Sequence, residues 1–303
     1  MWLGAHIGIA DGLPLAPSTG RRIGCDAIQI FSKSPQMWAG PPIAPEAAAG
    51  FRAAVRSEGL KATAVHHGYL VNLASPKKPM LARSRTTFVD EIRRAEMLGV
   101  DGLIFHPGAH LESGRDEGIR VLVESLNTTF AETAGVHVRV LLENSAGQGT
   151  SIGSSFVDLA EVLSRLDQPE RAGVTIDTCH LFASGVDFRT PELYGATMDR
   201  LDRELGVGNV RAFHLNDAKA DLGSHLDRHE NIGKGLIGVE GFRSIVSDAR
   251  WATTPGYLET PITDDDYAAY EADLGTLRGL LTVAGSPSKP RRTPARGRAS
   301  ANH

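Results

Sequence analysis

Six residues able to bind metal or move protons close short apolar runs along the 303-residue chain. His66 ends "ATAVH", His106 ends "DGLIFH", Glu143 ends "VRVLLE", Asp177 ends "GVTID", His214 ends "VRAFH" and Glu259 ends "GYLE". One strand-end histidine is usually a hydrogen-bonded structural residue. Six such groups at equivalent places are another matter: core packing asks for none of them, and gathering them partly buried is costly without cations in between. Three more candidates lie just beyond strand ends. In "IDTCH" one turn of chain separates Asp177 from His180, so both can face one mouth without holding the same ion. In "DRH" the i, i+2 spacing puts Asp227 and His229 on one side of an extended segment, with Arg228 on the other.

Nine nitrogen and oxygen donors are more than one or two ions need. With one carboxylate shared they suffice for three divalent ions, and the donor types suit zinc, with manganese an alternative at one site. Three such cations outweigh the four carboxylates, so the pocket would attract a phosphate. His67, His110 and His225 lie beside these segments and are assigned supporting or surface places, since each has a better-placed neighbour. His6, at the end of the first run, can support the ligands from behind. Cys179 could act as a soft ligand but is expected to pack as a small apolar group.

The elements that must hold these residues are eight short apolar runs, "LGAHIGI", "DAIQIF", "ATAVHH", "DGLIFH", "VRVLLEN", "GVTIDT", "VRAFHL" and "GYLET". Between them lie helix signals: Pro45 opening "PEAAAGFRAAVRSEG" with Gly59 at its close, and "TTFVDEIRRAEMLG" with Phe88, Ile92 and Ala95 on one face. Further helices are expected within 115–133, 155–165, 191–205, 238–249 and 264–281. Pro14 and Pro17 confine any helix in the first crossover to its later part. Eight strands alternating with helices predict an α/β fold, a single (β/α)8 TIM barrel over 1–283, whose C-terminal strand ends converge on one mouth. A doubly wound open sheet is the alternative, but no glycine-rich dinucleotide fingerprint follows an early strand.

Composition sets outer limits. The chain is 41% hydrophobic and 22% charged, without an apolar stretch of roughly 20 residues, which excludes a membrane-spanning helix. "MWLGAHIGIADG" lacks the features of a secretory signal, and two cysteines, Cys25 and Cys179, suggest reduced thiols, so a cytoplasmic location is expected. Residues 284–303 read as a disordered basic tail. Lys289, Arg291, Arg292, Arg296 and Arg298 face no acidic residue there, so the net charge of −4 becomes −9 without them. The tail is read as either a solubilising extension or a weak attractor of DNA phosphates.

The blocks "GAHIG", "YLVNLASP", "FHPGAH", "ENSAGQG", "IDTCHLFASGVDFRT" and "FHLNDAKADLGSHLDRHENIGKGLIG" resemble, in order, the signature segments of the endonuclease IV family of apurinic/apyrimidinic (AP) endonucleases. The resemblance runs to about residue 283. It implies a TIM barrel with three zinc ions that cleaves DNA on the 5′ side of an abasic site. The products would be a 3′-hydroxyl and a 5′-deoxyribose phosphate, with cleaning of blocked 3′ ends besides. It further implies that His66, His106 and Glu143 hold one ion, that Glu143 bridges to a second held by Asp177, His214 and Glu259, and that His180, Asp227 and His229 hold the third. Glu143 and Glu259 would be the catalytic carboxylates, Glu259 orienting or deprotonating the attacking water.

Tyr69 matches the tyrosine that the family inserts at the lesion. Gln36 stands where the family usually has an arginine, and Met37 and Trp38 beside it suit either a wedge between bases or loop packing. Lys219 and Lys234 suit either phosphate contacts or solvated surface. The expected partner is double-stranded DNA containing abasic sites, met by a monomer away from any membrane. Two rivals remain: a sugar isomerase or epimerase using one metal on Glu143, Asp177, His214 and Glu259, and a zinc-dependent DNA-binding or scavenging protein without catalysis.

Overall fold

The computed structural model describes residues 1–262 and 267–283, so the expected basic tail at 284–303 lies outside the described residues. Eight parallel strands close a barrel: β1 (Trp2–His6), β2 (Ala27–Phe31), β3 (Ala62–His66), β4 (Gly102–Phe105), β5 (Arg139–Glu143), β6 (Ala172–Asp177), β7 (Val210–His214) and β10 (Pro255–Leu258). Each pairs with its sequence neighbours, and β10 closes on β1 through Trp2 opposite Pro255. This is the TIM barrel that the alternation of runs predicts. His106 and Glu259 each stand one residue past their strands rather than at the last paired position.

Crossover helices clothe the outside: α1 (Ala16–Arg22), α2 (Pro45–Ser57), α3 (Lys78–Leu98), α4 (Arg115–Glu132), α5 (Phe156–Ser164), α7 (Pro191–Glu204), α8 (Gly238–Ser247) and α9 (Ala268–Val283). Their starts follow local chemistry. Ser155 and Thr190 cap α5 and α7 by accepting from the amides of Asp158 and Leu193, and proline opens α2 and α7 where no amide donor is needed. Gly99, left-handed at φ 66°, ends α3. That helix begins at Lys78, well before the expected 86, because Pro79 sits in its first turn, where proline is tolerated.

Side chains alternate across a strand, so residues two apart share a face. Ala27, Ala62, Ala64, Ile104, Leu141, Ala212 and Tyr257 form an apolar floor inside the barrel. Two residues beyond members of this floor stand Gln29, His66, His106, Glu143, His214 and Glu259, which therefore line the same axis at the mouth.

Two features were not legible from spacing. A short helix α6 (Thr178–Ala183) follows β6, capped by Asp177, whose Oδ1 accepts from the His180 amide at 2.7 Å. A two-residue ribbon, β8 (Asp217–Ala218) against β9 (His229–Glu230), folds the long loop after β7 back over the mouth. Asp217 is fully buried and holds that loop by accepting from the amides of Gly233 (2.9 Å), Gly235 (3.1 Å) and Ile237 (2.9 Å). A side chain at Gly235 would meet Ala218 O and the Asp217 carboxylate well inside contact distance. Asp217→Ala leaves the buried Ile237 amide and the part-buried Gly233 and Gly235 amides without their acceptor and should cost roughly 3 kcal/mol of stability by denaturant unfolding, whereas a loss under about 0.5 kcal/mol would show the loop to be held elsewhere.

Candidate metal centre

Five imidazoles and four carboxylates meet at the mouth. Glu143, wholly buried, stands at the centre with its two oxygens turned to opposite sides. Oε2 lies 3.1 Å from His66 Nε2 and 3.7 Å from His106 Nδ1. Oε1 lies 3.0 Å from His214 Nδ1 and 3.3 Å from His180 Nδ1. Asp227, reaching in from the long loop, approaches His180 Nε2 at 3.2 Å and His229 Nε2 at 3.1 Å.

Donor atoms lying within 4.8 Å of one another form several groups able to hold a metal ion. They include His66, His106 and Glu143; Glu143, Asp177, His214 and Glu259; and His180, Asp227 and His229. Asp177 and His180 fall in different groups, while Asp227 and His229 share one. Cys179 Sγ also comes within this distance of Asp177 and His229. In metal-free protein burial, with the Asp177 charge behind it, pushes its thiol up to about 12 and keeps it neutral.

The outward nitrogens of the imidazoles decide what faces the centre. A carbonyl can only accept, so His66 Nδ1 donates to His67 O (2.7 Å), His180 Nδ1 to Asn144 O (2.9 Å) and His229 Nδ1 to Glu259 O (3.1 Å). Each is left with its Nε2 lone pair toward carboxylate oxygens. Lone pair against lone pair at such distances is tolerable only with a positive charge between them. His229 Nε2 is buried and makes no hydrogen bond although Asp227 Oδ1 is 3.1 Å away, as expected of an atom aimed at an ion. The donor set thus fits divalent metal.

Without metal, protons take that place. Burial alone would lower the His214 imidazole, yet Glu259, Glu143 and Asp177 outweigh it and hold it at about 9. For His229, burial is likewise overcome by Asp227 and Asp177, again to about 9. His180 is raised well above its usual value, with burial opposed by Asp177, Asp227 and Glu143, and His66 is raised too. His106 is lowered, because there burial wins over Glu143. Despite burial, surrounding imidazoles hold the Glu143 and Glu259 carboxyls below the ordinary carboxylate range.

A cleft of about 390 Å³ opens beside these groups, lined by Tyr69, His106, Gln148, Ser151, His180 and Asp227 among others. Tyr69 is 65% exposed on its rim, with ring centroids 6.0 Å from Phe31 and 6.3 Å from His66. The loop after β2 presses on the Tyr69 segment: a side chain at Gly68 would meet Pro35 O at 2.6 Å. In that loop Gln36 and Met37 are exposed, but Trp38 is half-buried with the Arg83 guanidinium 4.3 Å above its ring. In the DNA-free protein Trp38 packs against Arg83. Lys219 pairs with Glu230 at 3.4 Å, and Lys234 is exposed.

His67 is buried against Phe88, and burial lowers it to about 4. His225 is exposed, with its ring against Ala146 O, so neither joins the centre. Gln29, fully buried and in contact with His214 and Glu259, does join it. Its strand parity was the available signal, hidden because a neutral amide does not stand out among metal ligands.

The family model described as xylose isomerase-like TIM barrel matches residues 19–280. The chain is 41% identical over 281 residues to a probable endonuclease 4 of Chloroflexus aurantiacus, covering 93% of this chain and 98% of that one. It resembles the crystal structure of endonuclease IV from Thermus thermophilus, with TM-score 0.81, 29% identity, and coverage of 93% and 100%. A D-tagatose 3-epimerase-like protein shares the fold at TM-score 0.69 and 16% identity over 94% and 100%.

Raised imidazoles make the metal-free fold pH-sensitive. Below about pH 6.5 both folded and unfolded chains carry protons on His214 and His229. As pH rises toward 9 the unfolded chain releases them first, so stabilisation is lost through that window. Thermal melts of chelated protein should therefore fall between pH 6.5 and 9, while metal-loaded protein should not. Parallel curves would contradict the site.

Proposed function

The chain belongs to the endonuclease IV family, and on that premise we propose that it is a DNA-repair enzyme of the deoxyribonuclease IV type, cutting the phosphodiester 5′ to abasic sites in duplex DNA. The observation that carries the reading is the surplus of ligands. A single-metal isomerase would need only Glu143, Asp177, His214 and Glu259, and would leave His66, His106, His180 and His229 facing carboxylates, and Asp227 facing imidazoles, without purpose.

Three zinc ions, with manganese an alternative at one position, would be held by His66, His106 and Glu143; by Glu143, Asp177, His214 and Glu259; and by His180, Asp227 and His229. Bound there, they would supply a water acidic enough to attack phosphorus near neutral pH and positive charge to face the phosphate. Glu143 holds the first two sets at a fixed separation because its two oxygens face different imidazoles. Glu259, one residue past β10 with Oε2 3.3 Å from His214 Nδ1, would orient the attacking water or take its proton. The products would be a 3′-hydroxyl and a 5′-deoxyribose phosphate, and the same centre would clean blocked 3′ ends.

Tyr69 offers an exposed ring where the missing base leaves an unstacked gap, and unstacking costs least there. Gln36 and Met37 stand beside it on a loop held by a buried network: Arg94 donates to Ser32 O (2.6 Å) and Pro41 O (2.9 Å), and Lys33 pairs with Glu91. Lys219 and Lys234 would meet flanking phosphates from the far side, Lys219 by exchanging Glu230 for the substrate. The protein would act as a monomer.

The test is a duplex with one abasic analogue, incubated with metal-replete protein and mapped for the cut. A single nick 5′ to the lesion is expected, and an intact strand together with ketose epimerisation would overturn the reading. Glu259→Gln should slow nicking by about 100-fold or more while the protein stays folded. Gln36→Arg should tighten duplex binding and steepen its salt dependence by about one counterion; an unchanged salt slope would remove that loop from the interface.

A further inference from the structure

Gln29 lies on β2 two residues beyond the floor residue Ala27, and its side chain is completely buried. Its neighbours leave no freedom in how the amide is turned. The Glu259 carboxylate can only accept, so the amide nitrogen faces it and donates to Oε1 at 2.6 Å. The second amide proton reaches His6 Nδ1 at 2.9 Å. The amide oxygen then faces His214 and accepts from its Nε2–H at 2.8 Å. With its proton fixed on Nε2, His214 presents a bare Nδ1 to Glu143 Oε1 (3.0 Å), Glu259 Oε2 (3.3 Å) and Asp177 Oδ2 (3.8 Å).

We propose that Gln29 is a positioning residue of the metal centre, whose single amide sets the tautomer of His214 and reserves one oxygen of Glu259 for the ion and the water. The proposal rests on the roles given above to those two residues. The task needs an acceptor and donors on one planar group, which is why neither a carboxylate nor a cation would serve. A carboxylate cannot donate to Glu259 and would add a like charge beside it; a lysine cannot accept from His214. A neutral amide also leaves the charge balance of the cluster unchanged. The outer partners of metal-bound imidazoles commonly act this way, fixing ring orientation and basicity.

Two variants of the full chain separate the amide's halves. Gln29→Met keeps similar volume and removes every polar contact, while Gln29→Glu keeps an acceptor for His214 and loses the donor to Glu259. Zinc binding, read by competition with a chromogenic chelator, should weaken roughly 10- to 100-fold for one ion in the Met variant and leave the others held, and the Glu variant, which adds a like charge beside Glu259, should not restore it. A folded Met variant that binds every ion as the unsubstituted protein does would overturn the proposal. So would a Glu variant that binds every ion as tightly as the unsubstituted protein, which would show that the amide's donation to Glu259 is not needed. If the variants do not fold, nitrogen-15 spectra of histidine-labelled, zinc-loaded protein decide the matter: His214 must carry its proton on Nε2, and a proton on Nδ1 refutes it. None of these readouts involves strand cleavage. A protein that passes them and leaves abasic DNA intact defeats the nuclease reading alone.

Discussion

The whole mouth depends on one electrostatic constraint: Glu143 is buried at the centre with imidazole nitrogens on both of its oxygens, and that arrangement is stable only with positive charge inside it. Carbonyls behind the rings of His66, His180 and His229 force their lone pairs inward. Protons can supply the charge in metal-free protein, as the raised imidazoles indicate, but divalent ions supply more of it with better geometry. Acidic residues that alone would repel DNA become, once neutralised in excess, a reason for phosphate to approach.

Much of the architecture serves that centre. Floor residues such as Ala62, Ala64 and Ala212 are small, and Tyr257 fills the remaining space from one strand. The axis above stays open for ligands delivered at a common height. Asp177 does two things at once: it caps α6, placing His180 on the first turn, and turns its other oxygen to the cluster, where Oδ2 lies 3.7 Å from His229 Nε2. The ribbon of β8 and β9 brings Asp227 and His229 in from outside the barrel, so the third group depends on a loop that Asp217 must hold in place.

The positions of the strand-end donors were legible because parity leaves little choice. An inward residue at the end of a barrel strand must face the mouth, and His66, Glu143, Asp177 and His214 sit there by type and position. Asp227 and His229 were legible through their i, i+2 spacing, although the ribbon that carries them was not, since two-residue strands leave no periodic trace. Gln29 had the right parity but the wrong chemistry to attract notice, being a partner of ligands rather than a ligand. The contact between Trp38 and the Arg83 guanidinium was not legible, because the two residues are distant in sequence.

A D-tagatose 3-epimerase-like protein shares this fold, so fold alone does not separate a nuclease from an isomerase; the number and placement of ions does. Anomalous diffraction from crystals of zinc-loaded protein measures both directly. Three peaks are predicted, one within reach of each donor group, with Glu143 shared between two of them. A single peak among Glu143, Asp177, His214 and Glu259, with His66, His106, Asp227 and His229 unligated, would contradict the account.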